Sequence, residues 1–402
     1  MEGGRFFGAF RACSGITDAV VLNHVPVGCN WGVGMFNNIS SQPDIRHACT
    51  VVHEREIVFG GEEALKRALT LADKTCDAPL LVVISGDVPS IIGDDIWSVI
   101  DSLSLKKKVL WLEAAGYKGS MRDGYEDALL KLGSLMKECD AKKRSVNLIG
   151  LCPDDFKVHA DLKEIKRIIE ALGIRVNSTI SMCSLDEFCA APAAELNVVM
   201  GQGVELAKFM KDAFGIPYIE VDYPYGLEGS MKFAEALSEN LGVECCEEKF
   251  FDLEPFKRTY LYLHEMYGTN VSIIGDFRCN PMADFLEREL GFEIEVKSHF
   301  EGDYSSFEES VRNSNSMILF GSSFERGLAR DLAIPLMRFV YPVFDQVCMC
   351  DYAPYAGLRG AVFLTECIIN SVMGLDGKTR YDFSYQEMKM RHSKASGQNK
   401  KG

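Results

Sequence analysis

Short apolar runs alternate with stretches of helical period along almost the whole chain. LLVVIS (80–85), VLWLEA (109–114), VNLIGL (146–151), NVVM (197–200), VSIIG (271–275) and SMILFG (316–321) show little polar alternation. Strands buried on both faces read this way, as they do in parallel sheets covered by helices. Between them EEALKRALTLADK (62–74), YEDALLKLGSLMKEC (125–139) and DLKEIKRIIEALG (161–173) repeat apolar residues every three or four positions, the mark of amphipathic helices. Strand, helix, strand in succession predicts an α/β chain of parallel, doubly wound, Rossmann-like domains. Breaks at the polar DAKKRS (140–145) and near MYGTN (266–270) predict three of them, at 1–143, 144–268 and 269–385. The last stretch, 386–402, is polar, basic and free of aromatics, and is expected to be a disordered tail.

Composition narrows the function without naming it. The chain has 402 residues, 47% apolar and 25% charged, values of a globular protein with a buried core. Its formal charge of −15 argues against a nucleic-acid or acidic-membrane partner, since a polyanion is repelled. The 14 cysteines do not fall at the spacings of a disulfide framework. The amino-terminal MEGGRFFGAFRACSG lacks a signal-peptide pattern, and no run of 18 apolar residues occurs. A reducing cytoplasm is the expected location.

Three segments carry the candidate chemistry: NHVPVGC (23–29), VFGGEEAL (58–65) and VVISGDVPSIIGDD (82–95). The first sets the thiol of Cys29 after an apolar strand and a Pro-Gly turn, where Gly28 lets the backbone come close to a bulky ligand. Thiolates of this kind hold iron–sulfur clusters. Cys29 and Asp87 both fall beyond the carboxyl ends of predicted strands, where open α/β sheets bind ligands. Asp94 and Asp95 read as an amino-terminal cap for the helix that follows.

In this order the segments resemble nitrogenase component 1 and its relatives, the dark-operative protochlorophyllide reductases, the nickel-sirohydrochlorin cyclases and the cofactor-scaffold subunits. The resemblance continues through AGYKGS (115–120), VNLIGLCPDD (146–155), FGIPYIEVDYPYG (214–226), FGSSFERG (320–327) and YPVFDQVCMCDYAPYAGLRG (341–360). It implies three domains around a central cavity. It also implies an iron–sulfur cluster, such as a 4Fe-4S one, at a subunit interface, to which each subunit gives three cysteines. Cys29 matches the second of these, and the first falls near Gly3 or Gly4. Asp87 stands where the third is expected, as an oxygen ligand in place of sulfur or as a helix cap bonded to backbone amides. His24 matches a family histidine, either packed and hydrogen-bonded or acting as a ligand or proton carrier.

At the carboxy-terminal segment Cys348 stands where catalytic relatives carry a cofactor-binding histidine, with Cys350 two residues on. The resemblance there implies a second metallocluster or a tetrapyrrole in the cavity; the alternative is two thiols packed beside Tyr352 and Tyr355. The family's other cofactor cysteine aligns near Met200 and Gly201 and is absent. Cys13 reads as a small core residue, and Cys49 and Cys76 match no ligand position. Gly201-Gln202-Gly203 and Gly377-Lys378-Thr379 are incomplete as nucleotide motifs.

The resulting expectation is a metal-binding oxidoreductase subunit. It would receive low-potential electrons from a separate ATP-dependent iron–sulfur reductase and pair with a homologous component 1 subunit, as a heterodimer, or with itself. The alternative is a scaffold or carrier for metallocluster assembly.

Overall fold

The computed structural model describes residues 4–39, 46–244, 254–263 and 266–373. The expected tail at 386–402 and the Gly377-Lys378-Thr379 turn lie outside them. Twelve strands occur among the described residues: β1 (Ala19–His24), β2 (His47–Cys49), β3 (Leu80–Ser85), β4 (Lys108–Glu113), β5 (Ser145–Ile149), β6 (Arg175–Ser178), β7 (Leu196–Met200), β8 (Tyr218–Val221), β9 (Asn270–Gly275), β10 (Glu293–His299), β11 (Ile318–Gly321) and β12 (Leu336–Arg338). They form three sheets of four parallel strands, ordered β2-β1-β3-β4, β6-β5-β7-β8 and β10-β9-β11-β12. Five of the six apolar runs are central strands, while VLWLEA is the partly exposed edge strand β4; β1, β3, β5 and β7 are buried along their whole length. The same strand order occurs three times although the sequence shows no repeat. The fold is thus three doubly wound α/β units of the kind the hydrophobic pattern predicts.

In such a sheet the strand order reverses between the first and third strands, and the loops leaving their carboxyl ends diverge to open a crevice. Each sheet here has one such switch point: β1/β3, β5/β7 and β9/β11. What the chain places at each decides what it can bind.

The amino-terminal helix Arg5–Cys13 packs on the helix Met121–Gly133 through two glycines. A Cβ on Gly8 would lie 1.8 Å from the carbonyl oxygen of Met121, and one on Gly124 would lie 1.9 Å from that of Arg5. Any side chain at either position forces the helices apart. The second helix begins earlier than its hydrophobic period suggests, because Ser120 and Asp123 form a reciprocal capping box. This contact also carries Arg11 inward, where it is 3% exposed.

Candidate functional site

At the first switch point, the chain leaving β1 runs through Pro26, which bridges to Val52, into the helix Val27–Ile39. Cys29 is therefore in the first turn of a helix rather than in an open Pro-Gly turn, and it is exposed. No atom comes within 4 Å of a Cβ built on Gly28, so the space beside Cys29 is open. The chain leaving β3 enters the short helix Asp87–Ile92. The Gly86 amide donates to the carbonyl oxygen of His24 at 3.3 Å, which ties the two exits together.

Asp87 uses Oδ1 to accept the Gly116 amide. Its Oδ2 has no hydrogen-bond partner among the described residues. Gly4 closes on the same spot: a Cβ on Gly4 would lie 3.0 Å from Gly116 Cα, and one on Gly116 would lie 3.4 Å from Asp87 Oδ1. The position aligned with the family's first cysteine thus adjoins Asp87, but the chain has no room there for a side chain unless Gly116 moves.

Partial burial and then the charge of Asp87 push the Cys29 thiol up. The two groups are therefore close enough to act on each other. In the iron-free subunit, Asp87→Asn is expected to move the pH midpoint for iodoacetamide alkylation of Cys29 downward, because removing a nearby negative charge favours the thiolate. An unchanged midpoint would show that the two residues do not interact.

His24 is fully buried, with Nδ1 2.8 Å from Thr50 Oγ1 and Nε2 3.0 Å from Asp94 Oδ2. Asp94 Oδ1 in turn accepts the Gly61 amide at 2.8 Å. One relay therefore joins all three of the motif segments, and both ring nitrogens are engaged in it. Asp95 alone caps the following helix, accepting the Ser98 amide at 2.9 Å. Asp94, read from sequence as part of that cap, does the longer-range work.

The elements that carry Cys29 and Asp87 expose apolar side chains, Trp31 (71%) and Ile91, and so do their neighbours: Val58 and Phe59 (82%) on the helix Glu54–Phe59 packed on Asp87–Ile92, and Tyr117, whose hydroxyl meets Ser90 at 2.9 Å. Clusters of this kind on a surface mark a protein interface.

The second and third switch points are filled with charge. Asp154 and Asp155 follow β5, Gln202 follows β7, and Asp276 and Arg278 follow β9. Arg11 Nε lies 2.9 Å from Asp154 Oδ1, and Arg11 Nη2 lies 2.8 Å from Asp155 Oδ1. The same Asp155 oxygen takes Arg278 Nη2 at 3.0 Å, and Arg278 Nε meets Asp276 Oδ1 at 3.0 Å. The Arg11 guanidinium lies 4.1 Å from the centre of the Tyr341 ring.

Cys152, Asp154 and Asp155 are all buried, with ligand atoms within 4.8 Å of one another. The arginines already neutralise both carboxylates. Burial, opposed by Arg11, pushes the Asp154 carboxyl up to about 6. A cavity of about 300 Å³ adjoins this junction and is lined by Arg11, Arg122, Gln202, Asp276 and His299. Sequence reasoning missed the network. Its visible signals were Arg11 amid the apolar residues of its helix and an Asp-Asp pair a few residues after a strand.

Cys348 and Cys350 line a cavity of about 290 Å³ whose wall also includes His159, Asp351 and, from the buried network, Asp154 and Asp155. Cys350 is exposed and Cys348 half-buried. The Lys157 ammonium lies 3.6 Å from Cys348 Sγ and 2.9 Å from the carbonyl oxygen of Ala353, and sits over the Phe363 ring.

Comparison with known proteins agrees with this architecture. A family model described as nitrogenase component 1 type oxidoreductase matches residues 5–304. The nitrogenase iron-molybdenum cofactor biosynthesis protein NifE of Clostridium pasteurianum is 31% identical over 336 residues, covering 78% of this chain and 72% of that protein. A light-independent protochlorophyllide reductase subunit from Zygnema circumcarinatum is 24% identical over 419 residues, covering 90% of this chain and 81% of the relative. Among solved structures, nitrogenase Cp1 at pH 6.5 superposes with a TM-score of 0.79 at 20% identity, over 93% of this chain and 92% of that one.

Proposed function

The chain belongs to the nitrogenase component 1 type oxidoreductase family, and from that premise we propose that it is an electron-accepting subunit whose iron–sulfur cluster lies between it and a partner subunit. The observation that carries this reading is the pairing of Cys29 with Asp87 at an exposed switch point, inside an apolar patch, with too few donors to hold a cluster alone. The residues fit half of a shared site. Cys29 would give a thiolate and Asp87 its free Oδ2, while the partner supplies the remaining ligands.

A cluster held there provides one-electron storage at low potential. The work of this chain is to position and shield it. The His24–Asp94–Gly61 relay fixes the turn that presents Cys29, and the surrounding apolar side chains exclude water once a partner covers them. The electrons would come from an ATP-dependent iron–sulfur reductase, and the partner subunit would be a component 1 homologue or a second copy of this chain. The cytoplasm suits a low-potential system of this kind; no helix among the described residues is long and apolar enough to cross a membrane.

A second group, whether metallocluster or tetrapyrrole, would take Cys348 and Cys350 as its thiols. Binding at Cys348 requires Lys157 to release the sulfur. The same cavity wall includes Asp154 and Asp155, which converge with Cys152 rather than with Cys348 or Cys350.

One observation favours the alternative of an assembly scaffold or carrier: the junction of the second and third sheets is closed by ion pairs instead of offering free ligands. The similarity to a cofactor biosynthesis protein agrees with it.

The test of the proposed function uses the native complex, purified without oxygen and mixed with the ATP-dependent iron–sulfur reductase of the same organism, reduced beforehand with dithionite and freed of the excess, so that the electron comes from the reductase. Under the reading given, the visible absorption of the complex bleaches only when both reductase and MgATP are present. Bleaching that needs neither, or none at all, overturns it. Transfer of the cluster to an acceptor apoprotein without substrate turnover would support the scaffold.

A further inference from the structure

Cys49 matches no cysteine of the family's ligand set, yet the fold carries it to the rim that holds Cys29. It ends β2, which runs parallel to β1 with Asn23 opposite Cys49, so both strands finish on the same side of the sheet. Its Sγ lies 3.5 Å from the carbonyl oxygen of Val25, in the turn that leads to Cys29. The loop after Cys49 is pinned to that turn by the Val52 amide, which donates to the Val25 carbonyl oxygen at 3.1 Å.

The backbone just beyond Cys49 is held in a costly conformation that serves the sulfur. Val51 has φ of +58°, a left-handed geometry that a β-branched residue rarely adopts. In that conformation the Val51 amide donates to Cys49 Sγ at 3.3 Å. An N–H aimed at sulfur favours the thiolate, and such bonds also tune the potential of a bound cluster. Cys49 is half-buried, and burial pushes its thiol up; the Val51 amide opposes that shift and the charge of Cys29 adds to it.

We propose that Cys49 is a second thiolate ligand of the interface cluster, taking over the role left empty at Gly4. This rests on the cluster reading given above and adds a donor to it. Cys29, Cys49 and Asp87 leave the neighbouring strands β1, β2 and β3, but their ligand atoms do not all lie within 4.8 Å of one another, as those of Cys152, Asp154 and Asp155 do. A single ion is thus poorly served; a multi-iron cluster, which takes one donor at each iron, would suit donors set apart on one rim.

The test compares wild type, Cys29→Ala and Cys49→Ser as anaerobically purified native complexes, by iron and sulfide content, EPR spectrum and melting temperature. Loss of a ligand in Cys49→Ser is expected to lower iron to about half of the wild-type value or less, or to change the EPR spectrum, with melting little altered. Iron, sulfide and EPR equal to wild type in Cys49→Ser, while Cys29→Ala loses iron, would overturn the role of Cys49 and leave the cluster standing. Wild-type iron in both variants would overturn the cluster reading itself.

If Cys49→Ser does not fold, alkylation of the wild-type complex decides. Cys49 is expected to be labelled only after a chelator has removed the iron with the complex still assembled. Equal labelling before and after removal would overturn the proposal.

Discussion

Asp155→Asn is expected to destabilise the protein by about 3–5 kcal/mol, the usual cost of removing one member of a buried ion pair. Asp155 is 4% exposed and serves three partners. One carboxylate oxygen takes Arg11 at 2.8 Å and Arg278 at 3.0 Å, and the other accepts the Cys152 amide at 2.8 Å. An amide keeps the shape but loses the charge, and its NH2 group points a donor at groups that also donate. Two guanidiniums then stay buried with only Asp154 and Asp276 to balance them. Because Arg11, Asp155 and Arg278 pack with different sheets, the loss falls on the joint between them.

Urea denaturation of the variant and wild type, followed by circular dichroism, measures the effect. Asp351→Asn is the control, since its partner Lys163 is on the surface and exposed pairs contribute little. Equal midpoints for Asp155→Asn and wild type would show that the network does not hold the sheets together.

Cys29→Ala is expected to strip most of the iron from the native complex while the subunit melts close to wild type. Cys29 is exposed in the first turn of its helix, so the change removes a ligand without opening a cavity in any core. The cores lie elsewhere, under β1, β3 and β5 and the helices that cover them. Iron content combined with thermal melting separates the two causes of failure: iron lost with melting preserved is ligand loss, whereas both lost together is misfolding.

The strands were legible because a central strand of a parallel sheet must be apolar on both faces, and runs such as LLVVIS at 80–85 have little other use. The placement of Cys29 and Asp87 followed from the same fact, since residues just after such strands stand at the ligand-binding edge. Less could be read where a side chain acts at long range. Asp94 and Asp95 look alike in sequence, but only the fold turns Asp94 toward His24, a residue 70 positions earlier.

The buried network was hidden for the same reason. Arg11, Asp155 and Arg278 are far apart in the chain, and only the close helix contact allowed by Gly8 and Gly124 brings Arg11 to the others. In the sequence Cys49 is set aside because it fits no expected ligand position. Its neighbourhood depends on the parallel register of β2 on β1 and on the left-handed Val51, neither of which is visible in a local pattern. The helix at Met121 could have been placed correctly, since Ser120 and Asp123 have capping-box spacing.

The central claim, a cluster shared between this chain and a partner subunit, is tested most directly by iron and acid-labile sulfide analysis of the anaerobically purified native complex beside the separated subunit. A shared cluster gives iron and sulfide in comparable amounts in the complex, with an oxygen-sensitive visible chromophore, and little of either in the subunit alone. A native complex free of iron and sulfide, or a lone subunit that holds the full amount, would contradict it.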